Sequence, residues 1–385
     1  MKKTLSISLF MAILFIAFMS CKQKSGNSNV KEDVTSEDES VFNDETKNVT
    51  KNDSESNISG LTWTKVESPF GVSKVTGSNL SVNCIVRGNN MFVVGSYQKV
   101  AYSTTDIKKW TVIDISESDP LLVGFSIGRI AYGNGRYVII DGGGRTAYSD
   151  DVLTWYKTPN QGDLEQPFHE GIEHKMTENY GVCYGKNDDG KDIFVAHKNG
   201  KIKYSEDGGV TWGKTNFSEQ TPFMWLGNIV WGGGKFIALG GFSTGEGFET
   251  RSTGILAYSD DGIMWTEVKN HPFTKYIRCA VWDGKNFIAV NGAEAVVHSS
   301  NGSNWDNIVN KTYEEIPFMS ECMAFGGGIY VSSYSDYINY SKNGKKWTPD
   351  KCLNFEEISS IKGLTYGDKK FVAVGSGVIV YAGVN

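Results

Sequence analysis

The amino-acid sequence predicts an all-β fold built from one four-stranded unit repeated along the chain, and three observations support this. The 385 residues include 44 glycines, 8 prolines and 12% aromatic residues, a composition typical of short strands and tight turns. A motif of a Tyr-Ser or His-Ser pair, a polar turn and a tryptophan recurs along the chain. Two short apolar runs joined by a glycine turn precede each copy.

The tryptophan motif recurs at the period typical of β-propellers, 40 to 50 residues. Its six copies span residues 101–110, 147–155, 203–212, 257–265, 297–305 and 339–347. The apolar runs upstream of each copy, such as those in 228–239 and 279–290, are rich in β-branched and aromatic residues and predict a hairpin. With the Tyr-Ser strand and the Trp strand, each repeat gives four antiparallel strands, which is one propeller blade.

The two ends of the repeat region complete each other. Residues 363–382 supply three strands of a seventh unit, and residues 61–66 are an unattached Trp strand. Pairing them closes the ring and leaves no open sheet edge. Seven loops that follow the Trp strands contain a Pro-Phe pair or a partial match to it, which again gives seven blades. We therefore predict a seven-bladed β-propeller over residues 61–385, its last blade closed by the N-terminal strand.

The first twenty residues have the features of a secretory signal, because Lys2 and Lys3 precede an apolar run too short to span a bilayer comfortably. The sequence AFMSC that ends this segment resembles the lipobox of bacterial lipoproteins. The resemblance implies a signal peptide over 1–20, acylation of Cys21 and a lipid-anchored protein of the cell envelope, with outer-membrane sorting suggested by Lys22. A plain secretory signal with an incidental cysteine is the alternative.

Residues 22–60 contain nine acidic residues, five lysines and few apolar side chains, so we expect residues 21–60 to be the acylated cysteine and a disordered tether. A coil of this length spans about 35 Å. The net charge of −6 leaves about −4 on residues 61–385, and no basic stripe is present. This argues against a nucleic-acid partner.

The turn of the copy SEDGGVTW, Ser205 to Trp212, resembles the Asp box of the BNR repeats found in sialidases and other secreted propellers. We call the turn in each copy an Asp-box-like turn. Asp and Asn side chains bond the backbone of their own turn, and glycine tolerates its positive φ. We therefore expect structural roles, not catalysis or calcium binding, for the turn residues Asp151, Asp207, Asp261, Asn301 and Asn343.

The resemblance implies that the Asp-box-like turns lie on the face opposite the active site. The site candidates are then polar and aromatic residues of the loops on the other, top face. They are His169, Glu170, Trp225, Glu249, Arg251, Tyr276, Arg278, Glu314, Glu315 and Glu356. Aromatic residues beside carboxylates suit either a glycan or a protein partner.

Metal, cofactor and redox chemistry find little support in the sequence. The segment FHEGIEH around His169 does not match the HExxH zinc pattern, because its histidines are five residues apart. Cys279 and Cys322 occupy equivalent places in neighbouring repeats, so they are predicted either as a disulfide or as small buried hydrophobes. We expect no metal and no cofactor.

Two functions remain open. The first is a monomeric, membrane-tethered binding module for a protein or glycan partner. The second is a secreted glycoside hydrolase of the Asp-box class, which needs two carboxylates at a defined separation. The chain has only six arginines and lacks the Arg-Ile-Pro signature of sialidases. We therefore predict the binding module.

Overall fold

The computed structural model describes the repeat region with several gaps. The described residues are 61–71, 80–159, 180–198, 200–219, 224–244, 251–291, 295–310, 322–334, 337–345, 347–350 and 360–384. Within the strands, the side chains of a few of these residues, including Trp225 and Arg251, are not described. All described strands belong to the compact unit Ile58–Asn385.

The strands form seven four-stranded antiparallel sheets in the described part of the chain, which confirms the predicted seven-bladed β-propeller. The first strand, β1 (Trp63–Glu67), belongs to the last blade. Blade 1 consists of β2 (Cys84–Gly88), β3 (Met91–Gly95), β4 (Lys99–Ser103) and β5 (Thr111–Asp114). Blade 2 consists of β6 (Ile127–Gly133), β7 (Arg136–Asp141), β8 (Thr146–Ser149) and β9 (Tyr156–Lys157).

The next blades repeat this order. Blade 3 consists of β10 (Tyr180–Lys186), β11 (Asp192–Lys198), β12 (Lys201–Ser205) and β13 (Gly213–Lys214). Blade 4 consists of β14 (Met224–Gly232), β15 (Lys235–Thr244), β16 (Arg251–Ser259) and β17 (Thr266–Glu267). Blade 5 consists of β18 (Cys279–Trp282), β19 (Phe287–Asn291), β20 (Ala295–Ser299) and β21 (Asp306–Asn310).

The last two blades complete the ring. Blade 6 consists of β22 (Cys322–Gly326), β23 (Ile329–Tyr334), β24 (Tyr337–Ser341) and β25 (Thr348–Asp350). Blade 7 consists of β26 (Ile361–Gly367), β27 (Lys370–Gly375), β28 (Val378–Gly383) and β1. The first strand of each blade contacts its counterparts in both neighbouring blades, including β26 with β2, so these seven inner strands surround a central axis.

The N-terminal strand closes the seventh sheet, as predicted. β1 pairs antiparallel with β28, in a register that runs from Trp63 opposite Ala382 to Glu67 opposite Val378. One boundary differs from the prediction. In blades 1 to 6 the repeat tryptophan lies just before the fourth strand and not in it, as at Trp155 before β9.

Each repeat tryptophan packs its own blade onto the preceding one. Trp155 lies among Val93 and Val100 of blade 1, and Trp305 lies among Ile237 and Leu239 of blade 4. The closing Trp63 fills the equivalent layer between blades 6 and 7. Because Trp and Phe bury large apolar areas, these layers supply much of the core between sheets.

The Asp-box-like turns are held by their own side chains. Asp261 Oδ1 accepts hydrogen bonds from the backbone N of Ile263 (2.8 Å) and Met264 (2.7 Å), and Trp265 Nε1 donates to Gly262 O (3.1 Å). The side chains of Asp151, Asp207, Asn301 and Asn343 accept backbone hydrogen bonds in the same way. Asp106 does so in the divergent first copy.

The strand register separates two ends of the ring. In blade 1, Cys84 at the start of the inner strand pairs with Gly95, which pairs with Val100 near the start of β4. Ser103, at the other end of β4, leads into the Asp-box-like turn. The inner strands therefore begin at the end opposite these turns, and we call that end of the central channel the channel mouth.

We predict that Asp261→Ala destabilises the protein by about 1–2 kcal/mol, because two backbone N–H groups lose their acceptor. Asp261→Asn keeps the accepting oxygen, as Asn301 does in its own turn, and is expected to cost far less. The free energy of unfolding in urea measures both.

The neighbouring carboxylate provides the matched control. Asp260 is exposed and forms an ion pair with Lys235, so Asp260→Ala should cost about 0–1 kcal/mol. Equal losses for Asp260→Ala and Asp261→Ala would contradict the structural role of the turn carboxylate.

Candidate functional site

The channel mouth carries an arginine stacked against a tyrosine of the next blade. Arg129 is the third residue of β6 and follows a β-bulge at Gly128. Its guanidinium lies 5.9 Å from the centre of the Tyr180 ring, and its Nη1 donates to Gly128 O (2.9 Å). A Cβ at Gly128 would stand 2.0 Å from the Tyr180 ring. The ring therefore packs directly on the Gly128 backbone, and only glycine permits this.

A second arginine–tyrosine pair lies where blades 4 and 5 meet, and its tyrosine also packs on a bulged glycine. The inner strand β14 has a bulge at Gly227, and the Tyr276 hydroxyl lies 2.7 Å from the position of a Cβ there. The Arg278 guanidinium lies 5.7 Å from the Tyr276 ring centre. Both arginine–tyrosine pairs thus lie where an inner strand begins.

A third basic residue lies at the mouth between blades 7 and 1. Lys362, the second residue of β26, donates to Ser81 Oγ (2.8 Å) and Asn83 Oδ1 (3.3 Å). Asn83 Nδ2 in turn donates to Ile127 O (2.9 Å). This chain of hydrogen bonds ties blades 7, 1 and 2 together beside Arg129.

The charge of Arg129 acts on groups from several blades. Burial raises the pKa of Cys84 in blade 1 to about 12, and Arg129 opposes this shift. Burial raises the pKa of Tyr276, opposed by Arg278 and Arg129. Burial lowers the pKa of His197 in blade 3 to about 3, and Arg129 adds to the effect. Arg129 is therefore a positive charge that residues of several blades share.

His197 is a buried polar group in the channel wall. Its ring lies against Gly181 of β10, with Nε2 2.4 Å from the position of a Cβ there. The side chain is fully buried, and neither ring nitrogen has a hydrogen-bond partner in the described part of the chain. The imidazole is therefore neutral in the folded protein.

The opposite end of the channel has a different character. There an aromatic ring packs on a glycine of the preceding inner strand in five blades, as Tyr184 does on Gly133, where a Cβ would stand 2.0 Å from the ring. The other described contacts of this kind are Tyr132 on Gly88, Trp231 on Gly185, Trp282 on Gly232 and Tyr366 on Gly326, and the side chain of Arg87 takes the equivalent place at Gly367. The end opposite the mouth is thus lined mainly by aromatic residues.

The structure places only part of the predicted site. Tyr276 and Arg278 lie at the mouth, as described above. The backbone of Trp225 lies opposite Gly241 near the start of β14, and Arg251 pairs with Thr244 at the same end of blade 4. The remaining candidates lie outside the described residues, namely His169, Glu170, Glu249, Glu314, Glu315 and Glu356, as does Cys21.

Sequence reasoning missed Arg129, Tyr180, Asn83 and Lys362. A signal was present, since a Gly-Arg pair interrupts the apolar pattern at the start of β6, where an inner strand otherwise carries small or apolar side chains.

Cysteine chemistry is not part of the site. Cys279 and Cys322 are not joined in a disulfide, and Cys322 Sγ lies 3.2 Å from Ser333 Oγ. Burial also raises the pKa of Cys183 to about 12, which keeps its thiol protonated. These cysteines serve as small core residues.

The described residues contain no helix long and apolar enough to cross a membrane. They also contain no group of three or more His, Cys, Asp or Glu side chains arranged to hold a metal ion.

Comparison with solved structures shows the same fold. The chain is similar to YCF48 bound to D1 peptide, with a TM-score of 0.58 and 9% identity over 85% of this chain and 99% of that one. It is also similar to virginiamycin B lyase from Staphylococcus aureus, with a TM-score of 0.62 and 7% identity over 85% of this chain and 100% of that one.

A third similar structure is PorZ, an essential surface component of the type-IX secretion system of Porphyromonas gingivalis. Its TM-score is 0.50 at 11% identity, over 82% of this chain and 37% of that one. No protein-family model and no curated protein matches the sequence. At these identities the similarity shows the fold alone: the chain is a seven-bladed β-propeller.

We predict that His197 makes stability fall as the pH drops below about 6.5. The unfolded state binds a proton there while the folded state does not until about pH 3. The loss should approach about 1.4 kcal/mol for each pH unit in this window. Urea unfolding of the protein and of His197→Leu between pH 5 and 7 measures it. If both proteins show the same slope, the neutral buried imidazole is refuted.

Proposed function

We propose that this protein is a binding module of the bacterial cell envelope that takes a protein partner at the channel mouth. The observation that carries the proposal is the pair of arginine–tyrosine contacts there, Arg129 with Tyr180 and Arg278 with Tyr276. Tyr and Arg are enriched among the residues that dominate binding energy at protein interfaces. Arg129 and Tyr180 lie on inner strands, and Tyr276 and Arg278 lie directly before one, so the strands hold both pairs in place and lower the entropy cost of binding.

The described residues at the mouth suit binding better than hydrolysis. A glycosidase sets two carboxylates against each other across the sugar. The described carboxylate across from Ile127 is Asp141, which is buried and forms an ion pair with Arg145 (2.7 Å). The charge of Asp141 is therefore balanced by an arginine.

The structural neighbours support a protein partner. YCF48 is described as bound to a peptide, and PorZ is a surface component of a secretion system. Both share only the fold with this chain, so they show that such a propeller can bind a polypeptide or act at a cell surface. A glycan partner remains the alternative for the same face.

Our proposal for the location of the protein rests on its N-terminal sequence. The lipobox-like AFMSC supports a lipid anchor at Cys21, and residues 22–60 supply a tether to the propeller. We place the protein as a monomer at the outer membrane and relate it to the Asp-box propellers. The hydrogen bonds of Asp261 and its counterparts support that relation.

Site-specific photo-cross-linking in cells tests the binding face. A benzoylphenylalanine replaces exposed Ser126, beside the start of β6, or exposed Met264, in an Asp-box-like turn at the other end. We expect the Ser126 position to give a discrete adduct with one protein and the Met264 position to give none. Membrane fractionation of Cys21→Ser in the same cells should show release from the membrane.

Two results would count against the proposal. Adducts formed equally at both positions, or only at Met264, would remove the channel mouth as the binding face. Turnover of a labelled sialoside or polysaccharide by the purified chain, lost in Glu314→Gln or Glu356→Gln, would establish the glycosidase instead.

A further inference from the structure

We propose that the channel mouth recognises a carboxylate group of an extended, acidic peptide segment, with Arg129 as the anchoring cation. This inference rests on the proposed function and adds the chemical group that the site recognises. Its anchoring residue, Arg129, is not among the site candidates that the sequence predicts.

The hydrogen-bonding capacity of Arg129 is largely unused. A guanidinium has five N–H donors, and one of them bonds Gly128 O. The other four have no partner in the described part of the chain, and no described carboxylate forms an ion pair with Arg129. The residue is nevertheless exposed at the mouth. A planar guanidinium with free donors matches a carboxylate in bidentate geometry.

The positive charge is local to the mouth and is not a property of the whole surface. Residues 61–385 carry a net charge of about −4. Elsewhere in the described part of the ring, Arg136 is paired with Asp150, Arg145 with Asp141 and Arg87 with Asp368. An anion is therefore attracted to Arg129 and its basic neighbours Arg278 and Lys362, and repelled by the remaining surface.

The tyrosines shape the space around this charge. Each tyrosine packs on a bulged glycine of the preceding blade, Tyr180 on Gly128 of blade 2 and Tyr276 on Gly227 of blade 4. This packing fixes their rings beside the arginines. Rigid aromatic walls next to a guanidinium provide contact area at low entropic cost. The ligand chain can pack on the rings while its carboxylate reaches Arg129.

The choice of a peptide follows from the proposed protein partner and from the tyrosines beside the arginines. Tyr180 and Tyr276 offer ring surfaces next to Arg129 and Arg278. An extended peptide can pack on such rings while its carboxylate reaches Arg129, and Tyr and Arg are common contact residues at protein interfaces. An acidic glycan is the alternative that the experiment distinguishes.

Fluorescence anisotropy on the purified full chain tests the inference directly. The probe is the fluorescein-labelled peptide Gly-Ser-Ala-Ala-Asp-Glu with a free C-terminus. Its neutral counterpart has Asn and Gln at the acidic positions and an amidated C-terminus. We expect the neutral peptide to bind at least about tenfold more weakly, since it lacks charge-assisted hydrogen bonds.

Variants assign the effect to Arg129. Arg129→Gln should weaken binding of the acidic peptide at least about tenfold, and Arg129→Lys should restore part of it because the charge remains. Arg136→Gln is the matched control, since Arg136 lies at the other end of the ring beside Asp150. Unchanged thermal unfolding of each variant shows that the fold is intact.

Each contrary outcome is informative. Equal affinity for both peptides, no binding of the acidic peptide, or equal weakening by Arg129→Gln and Arg136→Gln overturns the inference. Arg129-dependent binding of polygalacturonate without peptide binding replaces the peptide with an acidic glycan. If millimolar inorganic phosphate displaces the acidic peptide at constant ionic strength, the mouth is a general anion site and not a site for a peptide carboxylate. A Ser126 cross-link without acidic-peptide binding overturns this inference alone and leaves the proposed function standing.

Discussion

The backbone pairing of β1 with β28 is the constraint on which the rest of the structure depends. It joins residues from the two ends of the domain, with Trp63 opposite Ala382. The pairing also brings Trp63 into the layer between blades 6 and 7. Because β1 completes the last of seven separate four-stranded sheets from the other end of the domain, the ring is closed and the inner strands are held around the central axis. Every position at the channel mouth follows from that arrangement.

The closed ring gives the channel two chemically different ends. Where the inner strands end, aromatic rings pack on glycines of the neighbouring strand, as Tyr184 does on Gly133. Where the strands begin, bulges at Gly128 and Gly227 break the regular pairing and make room for tyrosines from the next blade. The same repeat therefore stabilises one end and leaves polar groups accessible at the other, the usual division between scaffold and site.

The sequence predicts the fold well because the repeat places the same interactions in each blade. The turn around Asp261 and the tryptophan that follows it encode a hydrogen-bond pattern that needs no distant partner. The closure by residues 61–66 could also be predicted, since the seventh repeat lacks its last strand. These features are local or periodic, and periodicity is visible in a single sequence.

The candidate site was less accessible to prediction. Arg129 and Tyr180 are far apart in the sequence and meet only because adjacent inner strands lie side by side. His197 is buried against Gly181, and nothing in its local sequence distinguishes it from an exposed strand histidine. Tyr276 and Arg278 were found because they precede an inner strand on a predicted top loop. Contacts between blades thus require the coordinates, whereas contacts within a turn do not.

Hydrogen exchange of the backbone amides in Trp63–Glu67 tests ring closure most directly. Amides paired in a closed sheet exchange only when the sheet opens, so β1 should be protected to the same degree as Val378–Gly383 of β28. Exchange of the β1 amides at the rate of an unstructured chain, with β28 still protected, would contradict the closed seven-bladed ring.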